Sequence, residues 1–190
     1  MAERQINEYY VRFDKKPNIF FSTLFDTVDA LTGAIVAVFL IFCFLFRAVG
    51  VSGTSMLPTL LDGDWVAITG ITTDVEYGDI VVVTQPWERD IPIIKRVIAT
   101  EGQTVYIDFE NGNVYVDGKM LDEPYILEQT FTSFDMEFPL TVGEGEIFVM
   151  GDNRNGSTDS RSNLVGLIRK DYVLGKAIVR VSPFGQFKIG

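Results

Sequence analysis

Apolar residues are concentrated in one long run near the start of the chain. Asp29 and Arg47 bracket a stretch without charged side chains, and residues 34–46 are apolar throughout. A membrane-spanning helix needs about 20 apolar residues, and about 17 is the lower limit. Because Arg47 can extend its charged end toward the membrane surface, the run predicts a transmembrane helix over residues 30–51. A polar tail, residues 1–29, precedes it.

Two other structures also produce apolar runs. A helix in a protein core is one, but residues 34–46 are hydrophobic on every face, whereas a core helix usually has a polar stripe. A cleaved targeting peptide is the other, because Ala48-Val49-Gly50 has small residues at the spacing of a cleavage site. The long polar tail and the length of the run favour the membrane helix.

Beyond the apolar run, the pattern changes to short stretches of alternating or β-branched residues. Such stretches predict strands, and Asn111-Gly112 between two of them predicts a hairpin turn. Residues 119–140 show few patterns of regular secondary structure, and we predict that they form a long connecting segment, the excursion. We therefore predict a mainly β fold, a β-sheet domain over residues 52–190 after one N-terminal transmembrane helix. The predicted strands are 65–69, 79–84, 92–100, the two arms of 103–118, 146–150 and 174–182.

The basic residues predict how the chain crosses the membrane. Four of them precede the apolar run, and after Arg47 no Lys or Arg follows until Arg89. Cytoplasmic flanks of membrane helices carry an excess of Lys and Arg. The sequence thus predicts a single-pass protein of the cell membrane, with a cytoplasmic N-terminus and the β-rich domain outside the cytoplasm. The four basic residues are Arg4, Arg12, Lys15 and Lys16.

The composition excludes several kinds of chemistry. The formal net charge of -10, from 16 basic and 26 acidic residues, argues against a nucleic-acid partner. There is no histidine, and the single cysteine, Cys43, lies in the apolar run. A Ser-His-Asp triad, a Cys-His pair, a histidine zinc site and an internal disulfide are therefore excluded. A hydrolase with this sequence must activate its nucleophile with lysine or a carboxylate, and we expect neither a metal nor a cofactor.

A serine-rich loop, residues 51–64, follows the apolar run. Pro58 restricts the backbone, while Gly53 and Gly63 permit angles that other residues resist. Such a loop can present the oxygen of Ser55 beside free backbone N–H groups. It can equally be a turn between a membrane helix and the first strand.

Lys95 lies in an apolar predicted strand, between Ile94 and Val97. A buried lysine has a lowered pKa because burial disfavours its charged form. Lys95 is therefore a candidate general base for a serine. The alternative is an edge strand that leaves Lys95 and Arg96 both in solvent.

Residues 151–162 form a loop dense in amides, hydroxyls and charges. Its Asp152-Asn153 pair is also found in calcium loops, but Arg154, Arg161 and the lack of a terminal glutamate disfavour that interpretation.

Four stretches together resemble the type I signal peptidases, the membrane-bound serine proteases that remove signal peptides. Their order and approximate spacing agree with those of the family. The stretches are Ser-Gly-Thr-Ser-Met-Leu-Pro-Thr-Leu (52–60), Tyr-Gly-Asp-Ile-Val-Val-Val (77–83), Lys-Arg-Val-Ile (95–98) and Gly-Asp-Asn-Arg-Asn-Gly-Ser-Thr-Asp-Ser-Arg (151–161).

The resemblance implies a role for several residues. Ser55 resembles the nucleophile and Lys95 the general base, while Met56 matches a residue that lines the active site. Ser157 resembles the hydroxyl that orients the lysine amine, and Asp159 and Arg161 resemble a supporting ion pair. Gly53 stands where some members have a serine that helps to hold the oxyanion, so the second oxyanion donor stays open.

The resemblance also implies the partners. Substrates would be translocated preproteins with small residues just before the cut, and the lipid bilayer would hold the enzyme. One alternative is a self-cleaving repressor-type protease, but the acidic chain leaves no room for a DNA-binding domain. The other is an inactive membrane-anchored scaffold with the same fold.

Overall fold

The computed structural model describes residues 19–70, 74–84 and 91–182 of the chain. These residues divide into two compact units, one ending at Phe44 and the other beginning at Leu45. Residues 1–18 of the predicted cytoplasmic tail lie outside the described part.

The described residues of the first unit belong to the helix α1 (Ile19–Leu45). Its segment Ile19–Ile41 has a mean hydropathy of 2.0 and is long and apolar enough to cross a membrane. The predicted boundaries, 30–51, are wrong at both ends. The helix begins earlier than predicted and includes Thr23 and Thr27, whose hydroxyls donate to carbonyls four residues back and are thus hydrogen-bonded within the helix.

The helix also ends earlier than predicted, because residues Phe46–Gly50 form a strand instead. This strand, β1, pairs antiparallel with the strand Trp65–Thr69 over its full length. Apolar residues suit a membrane helix and a sheet alike, so the sequence pattern does not mark where one becomes the other.

The described residues of the second unit form two antiparallel sheets. After β1, the strands are β2 (Trp65–Thr69), β3 (Ile80–Val83), β4 (Ile93–Thr100), β5 (Thr104–Asp108), β6 (Asn113–Val116), β7 (Lys119–Met120), β8 (Leu140–Thr141), β9 (Glu146–Met150), β10 (Ile168–Arg169) and β11 (Val173–Ser182). The larger sheet has the order β1-β2-β11-β3-β4-β9-β10, and the smaller has the order β7-β6-β5-β8.

All the predicted strands are present, and the mainly β fold is confirmed. The predicted hairpin is also present, but its register pairs Asp108 with Asn113, so its turn takes four residues rather than Asn111-Gly112 alone. Residues 121–139 form the predicted excursion, with no strand among them.

Strand β4 lies inside the larger sheet, between β3 and β9. Both of its edges are therefore hydrogen-bonded, and Lys95 and Arg96 are only 4% and 2% exposed. The alternative of a solvated edge strand is wrong. Both cations are buried, Lys95 against Ser55 of the loop 51–64 and Arg96 against Asp152 of the loop 151–162.

Candidate active site

The loop 51–64 is folded back on itself before β2. Its ends meet where the Val51 N–H donates to the Asp64 carbonyl over 2.8 Å and the Gly63 N–H donates to the Val51 carbonyl over 3.0 Å. Gly53 has φ of +90°, and its N–H donates to the Asp62 carboxylate over 2.8 Å. These bonds fix the loop as a rigid unit that carries Ser55.

Ser55 and Lys95 meet although 40 positions separate them in the chain. The Lys95 ammonium nitrogen Nζ lies 2.8 Å from Ser55 Oγ and 3.1 Å from the Ile94 carbonyl oxygen. A nucleophile and its base within this distance can exchange a proton directly. The loop and β4 therefore bring together the two residues that the sequence singled out.

Burial of Lys95 lowers its pKa from 10.5 to about 8. Desolvation is the largest cause, because a charged amine loses its hydration inside the protein. The charge of Arg161 lowers the pKa further, while Asp159 and Asp152 raise it. A substantial share of Lys95 is thus neutral near pH 8 and able to accept a proton.

A cavity of about 340 Å³ opens beside this pair. Both Ser55 and Lys95 line it, and so does Met56, the residue assigned there by the sequence. The remaining lining residues are mainly apolar and come from β1, the following loop and the start of β4. They are Val49, Gly50, Val51, Ser52, Ile91, Pro92, Ile93 and Ile94.

Arg96 occupies a different environment from its neighbour Lys95. Its guanidinium donates two hydrogen bonds to the Asp152 carboxylate, each over 2.8 Å, and a third to the Gly78 carbonyl. The Tyr125 ring stacks 4.0 Å from the guanidinium carbon. The bidentate contact gives this buried cation a directly bonded opposite charge and ties β4 to the loop 151–162.

The start of loop 151–162 lies directly against the nucleophile loop. The Asn153 N–H donates to the Ser55 carbonyl over 3.0 Å, and its side-chain amide donates to the Thr54 carbonyl over 3.1 Å. At Gly151 a side chain would collide with the Ser55 carbonyl and with Ser157. Only glycine fits there, because it has no side chain, and the two loops can therefore approach each other closely.

Ser157 is buried, yet its hydroxyl makes no hydrogen bond within the part of the chain that the structure describes. The contact expected between this hydroxyl and the lysine amine is therefore not formed. The Lys95 amine is bonded to Ser55 and to the Ile94 carbonyl instead.

Asp159 and Arg161 form the ion pair expected from the sequence. Both are fully buried, and two nitrogens of Arg161 donate to the two carboxylate oxygens over 2.8 and 2.9 Å. Arg161 also donates to the carbonyls of Thr132, Arg154 and Ser157. A buried ion pair with this many additional bonds holds the backbone around it.

Sequence reasoning missed a second buried pair, between Glu123 and Arg154. The two groups form a bidentate contact with distances of 2.7 and 2.8 Å, and Arg154 also donates to Thr130. Because the partners are 31 positions apart, no local pattern reveals the pair. Together with Arg161, it anchors the excursion to loop 151–162.

The described residues contain no group of three or more Asp, Glu, Cys or His side chains arranged to hold a metal ion. The site thus consists of a serine, a lysine and the polar loop that supports them.

Comparison with known proteins finds matches in one family. Residues 24–182 match the family model described as signal peptidase, peptidase S26. The chain is 36% identical to signal peptidase I of Bacillus licheniformis over 177 residues, which cover 88% of this chain and 93% of the relative. It is 33% identical to signal peptidase IB of Staphylococcus aureus, over 87% and 93% of the two chains. A crystal structure of a signal peptidase I from Enterococcus faecalis, 30% identical, aligns with a TM-score of 0.44 over 55% of this chain and 97% of that chain.

Proposed function

The chain belongs to the type I signal peptidases, serine peptidases that remove signal peptides from preproteins, and we propose that Ser55 and Lys95 perform this cleavage. The observation that carries the proposal is the 2.8 Å contact between Ser55 Oγ and Lys95 Nζ, made by a lysine that is 4% exposed. With no histidine in the chain, lysine is the base that can act near neutral pH.

The reaction is an acyl transfer with Lys95 as general base. Neutral Lys95 takes the proton of the Ser55 hydroxyl while Ser55 Oγ attacks the carbonyl carbon of the scissile bond. Lys95 then gives this proton to the leaving amine, and the acyl group remains on Ser55. In the second half, Lys95 takes a proton from a water molecule that hydrolyses the ester and regenerates Ser55.

Charge develops on the substrate oxygen in both halves of the reaction. Backbone N–H groups that point at this oxygen stabilise the transition state, and the Ser55 N–H is one donor in the proposed mechanism. The Gly53 N–H is already bound by Asp62, and glycine brings no hydroxyl, so the second donor must come from elsewhere.

Ser157, Asp159 and Arg161 act in support of the pair. The buried Asp159–Arg161 contact holds the main chain around Ser157, whose hydroxyl lies beside Gly151, as the Ser55 carbonyl does. In this proposal the free Ser157 hydroxyl accepts a hydrogen bond from the lysine ammonium once Ser55 has transferred its proton and formed the acyl ester.

In this proposal the cavity of about 340 Å³ beside Ser55 receives the small side chains that precede the cut. Val49, Met56 and Ile93 line it with apolar surface. A preprotein with small residues just before the scissile bond fits this space, as the resemblance to the family implies.

We propose that α1 anchors the enzyme in the lipid bilayer of the cell membrane. The four basic residues of the tail favour a cytoplasmic N-terminus, and in this proposal the catalytic domain lies outside the cytoplasm. A protease added to intact spheroplasts should degrade the domain after Val51, and protection of that domain contradicts this orientation.

The proposal is tested with the full chain in detergent and a purified preprotein. The product is isolated, and its new N-terminus is sequenced. Ser55→Ala should abolish cleavage, because it removes one oxygen from the loop, and it should leave the melting temperature within a few degrees of the wild type. Ser52→Ala is the matched control, since Ser52 lines the same cavity. Turnover by Ser55→Ala but not by Ser52→Ala contradicts the assignment.

A further inference from the structure

Thr59 lies four positions after the proposed nucleophile and is held from both sides. Its hydroxyl donates to Asp152 Oδ2, and its carbonyl accepts a hydrogen bond from the Arg180 guanidinium. Arg180 also forms a buried ion pair with Asp64 over 3.2 Å. The residue is therefore fixed between the C-terminal strand β11 and the loop 151–162.

The Asp152 carboxylate that receives the Thr59 hydroxyl is the one that grips Arg96. Asp152 is fully buried, and Arg96 bonds both of its oxygens over 2.8 Å. Because Arg96 directly follows Lys95 in β4, the carboxylate fixes the position of the strand that carries the general base. The Thr59 hydroxyl thus binds the same carboxylate that positions the strand of Lys95.

Hydrogen bonds fix the backbone between Ser55 and Thr59, so the position of Thr59 determines that of Ser55. The Leu60 N–H donates to the Met56 carbonyl over 2.9 Å, and the Leu57 N–H donates to the Thr54 carbonyl over 3.2 Å. These consecutive turns leave little freedom between Thr54 and Leu60, so a shift of Thr59 moves Ser55 with it.

We propose that Thr59 is a positioning residue whose hydroxyl, through Asp152 and Arg96, sets the separation between Ser55 Oγ and Lys95 Nζ. This inference rests on the proposed function of Ser55 and Lys95. Since Thr59 is not among the residues that line the cavity, its loss should slow the chemical step and leave substrate binding unchanged. A misplacement of about 1 Å in a catalytic pair can cost about 10²-fold in rate.

The test compares two substitutions of the full-length protein in detergent. Thr59→Val keeps the shape and removes the hydroxyl, and Thr59→Ser keeps the hydroxyl and removes the methyl group. We expect kcat for preprotein cleavage to fall at least about tenfold in Thr59→Val, with KM within about twofold of the wild type. In Thr59→Ser, kcat should stay within about twofold of the wild type.

The matched control is Thr104→Val in the smaller sheet. It also removes a threonine hydroxyl from a side-chain contact, the one of 2.9 Å with Thr141, and it should leave kcat unchanged. All rates are measured well below the melting temperature and divided by the amount of folded enzyme, so that a loss of stability alone does not lower kcat.

The outcomes separate this inference from the function on which it rests. If Ser55→Ala is inactive and Thr59→Val has the kcat of the wild type per folded molecule, the Thr59 hydroxyl only stabilises the fold and the inference is wrong. A rise in KM with unchanged kcat also overturns it. If Ser55→Ala still cleaves the preprotein, the proposed function itself fails.

Discussion

Lys95 and Arg96 are adjacent cations with nearly equal burial and opposite electrostatic surroundings. Neighbouring residues of a strand project to opposite faces, so each side chain enters a different environment. Arg96 meets a carboxylate that binds it at two points, whereas Lys95 meets a serine hydroxyl and a backbone carbonyl.

The difference shows how the fold gives two buried cations different roles. Removal from water disfavours a charge unless an opposite charge is in direct contact. Arg96 has such a partner, and guanidinium does not lose its proton in proteins in any case. Lys95 has carboxylates only at longer range, and its pKa falls to about 8. One cation therefore holds the structure and the other is available for proton transfer.

The largest expected effect is the loss of activity when Lys95 is replaced by arginine, the side chain of its neighbour. Lys95→Arg keeps the positive charge but cannot act as a base, because guanidinium is not deprotonated. We expect kcat/KM for preprotein cleavage to fall by about 10⁴-fold or more, as for the loss of other catalytic bases. Lys119→Ala is the control, since this exposed lysine of β7 should be dispensable. Substantial activity in Lys95→Arg sinks the serine–lysine mechanism.

Removal of the paired cation should lower stability. Arg96→Met leaves the Asp152 carboxylate buried without an opposite charge, which typically costs about 3–5 kcal/mol in the free energy of unfolding. Adding Asp152→Leu to this variant should recover much of the loss, because no buried charge is then left alone. Urea unfolding of the three proteins measures both effects. A wild-type midpoint in Arg96→Met shows that the pair is not needed.

Replacing the other cation by methionine, in Lys95→Met, should raise the free energy of unfolding instead of lowering it. At neutral pH the folded state carries the cost of a desolvated lysine, and a pKa lowered by 2.5 units from 10.5 to about 8 corresponds to about 3 kcal/mol. Lys95→Met removes this cost and should stabilise the protein by up to that amount at pH 7. The gain should be complete below pH 8, decrease as the pH rises, and vanish above about pH 10.5. A gain that does not change with pH argues against desolvation as its source.

The smallest expected effect is that of pH on the wild-type enzyme. Only neutral Lys95 accepts the serine proton, and its pKa is about 8. Its neutral fraction rises from about 10% at pH 7 to about 90% at pH 9, so kcat/KM should increase about tenfold over this range and then level off. Initial rates in buffers of constant ionic strength measure it. A rate that is flat from pH 6 to 9 excludes Lys95 as the titrating base.

Local patterns in the sequence were sufficient for most of the sheet and for Lys95 as a candidate base. β2 (Trp65–Thr69) and β9 (Glu146–Met150) begin and end at the predicted residues, because their apolar runs are bounded by turns. Lys95 could be singled out because a cation inside an apolar run is unusual. Ser55 required the resemblance to a known family in addition.

Contacts between distant residues could not be read in this way. The Arg96–Asp152 contact spans 56 positions, and a single sequence contains no periodicity that links its partners. Strand β1 was missed for another reason. Its mostly apolar residues directly follow the apolar run of α1, so the sequence does not show where the helix ends. The unbonded hydroxyl of Ser157 depends on side-chain geometry that no sequence pattern encodes.

Strand β1 determines where the chain can be cut to obtain a soluble fragment. A fragment that starts at residue 52, the predicted beginning of the catalytic domain, lacks the strand that pairs with all five residues of β2. It also lacks Val51, whose N–H closes the loop of Ser55, and it exposes the edge of β2 to pairing between molecules. A truncation intended for crystallisation or inhibitor screening should therefore retain Phe46 and remove only the residues before it.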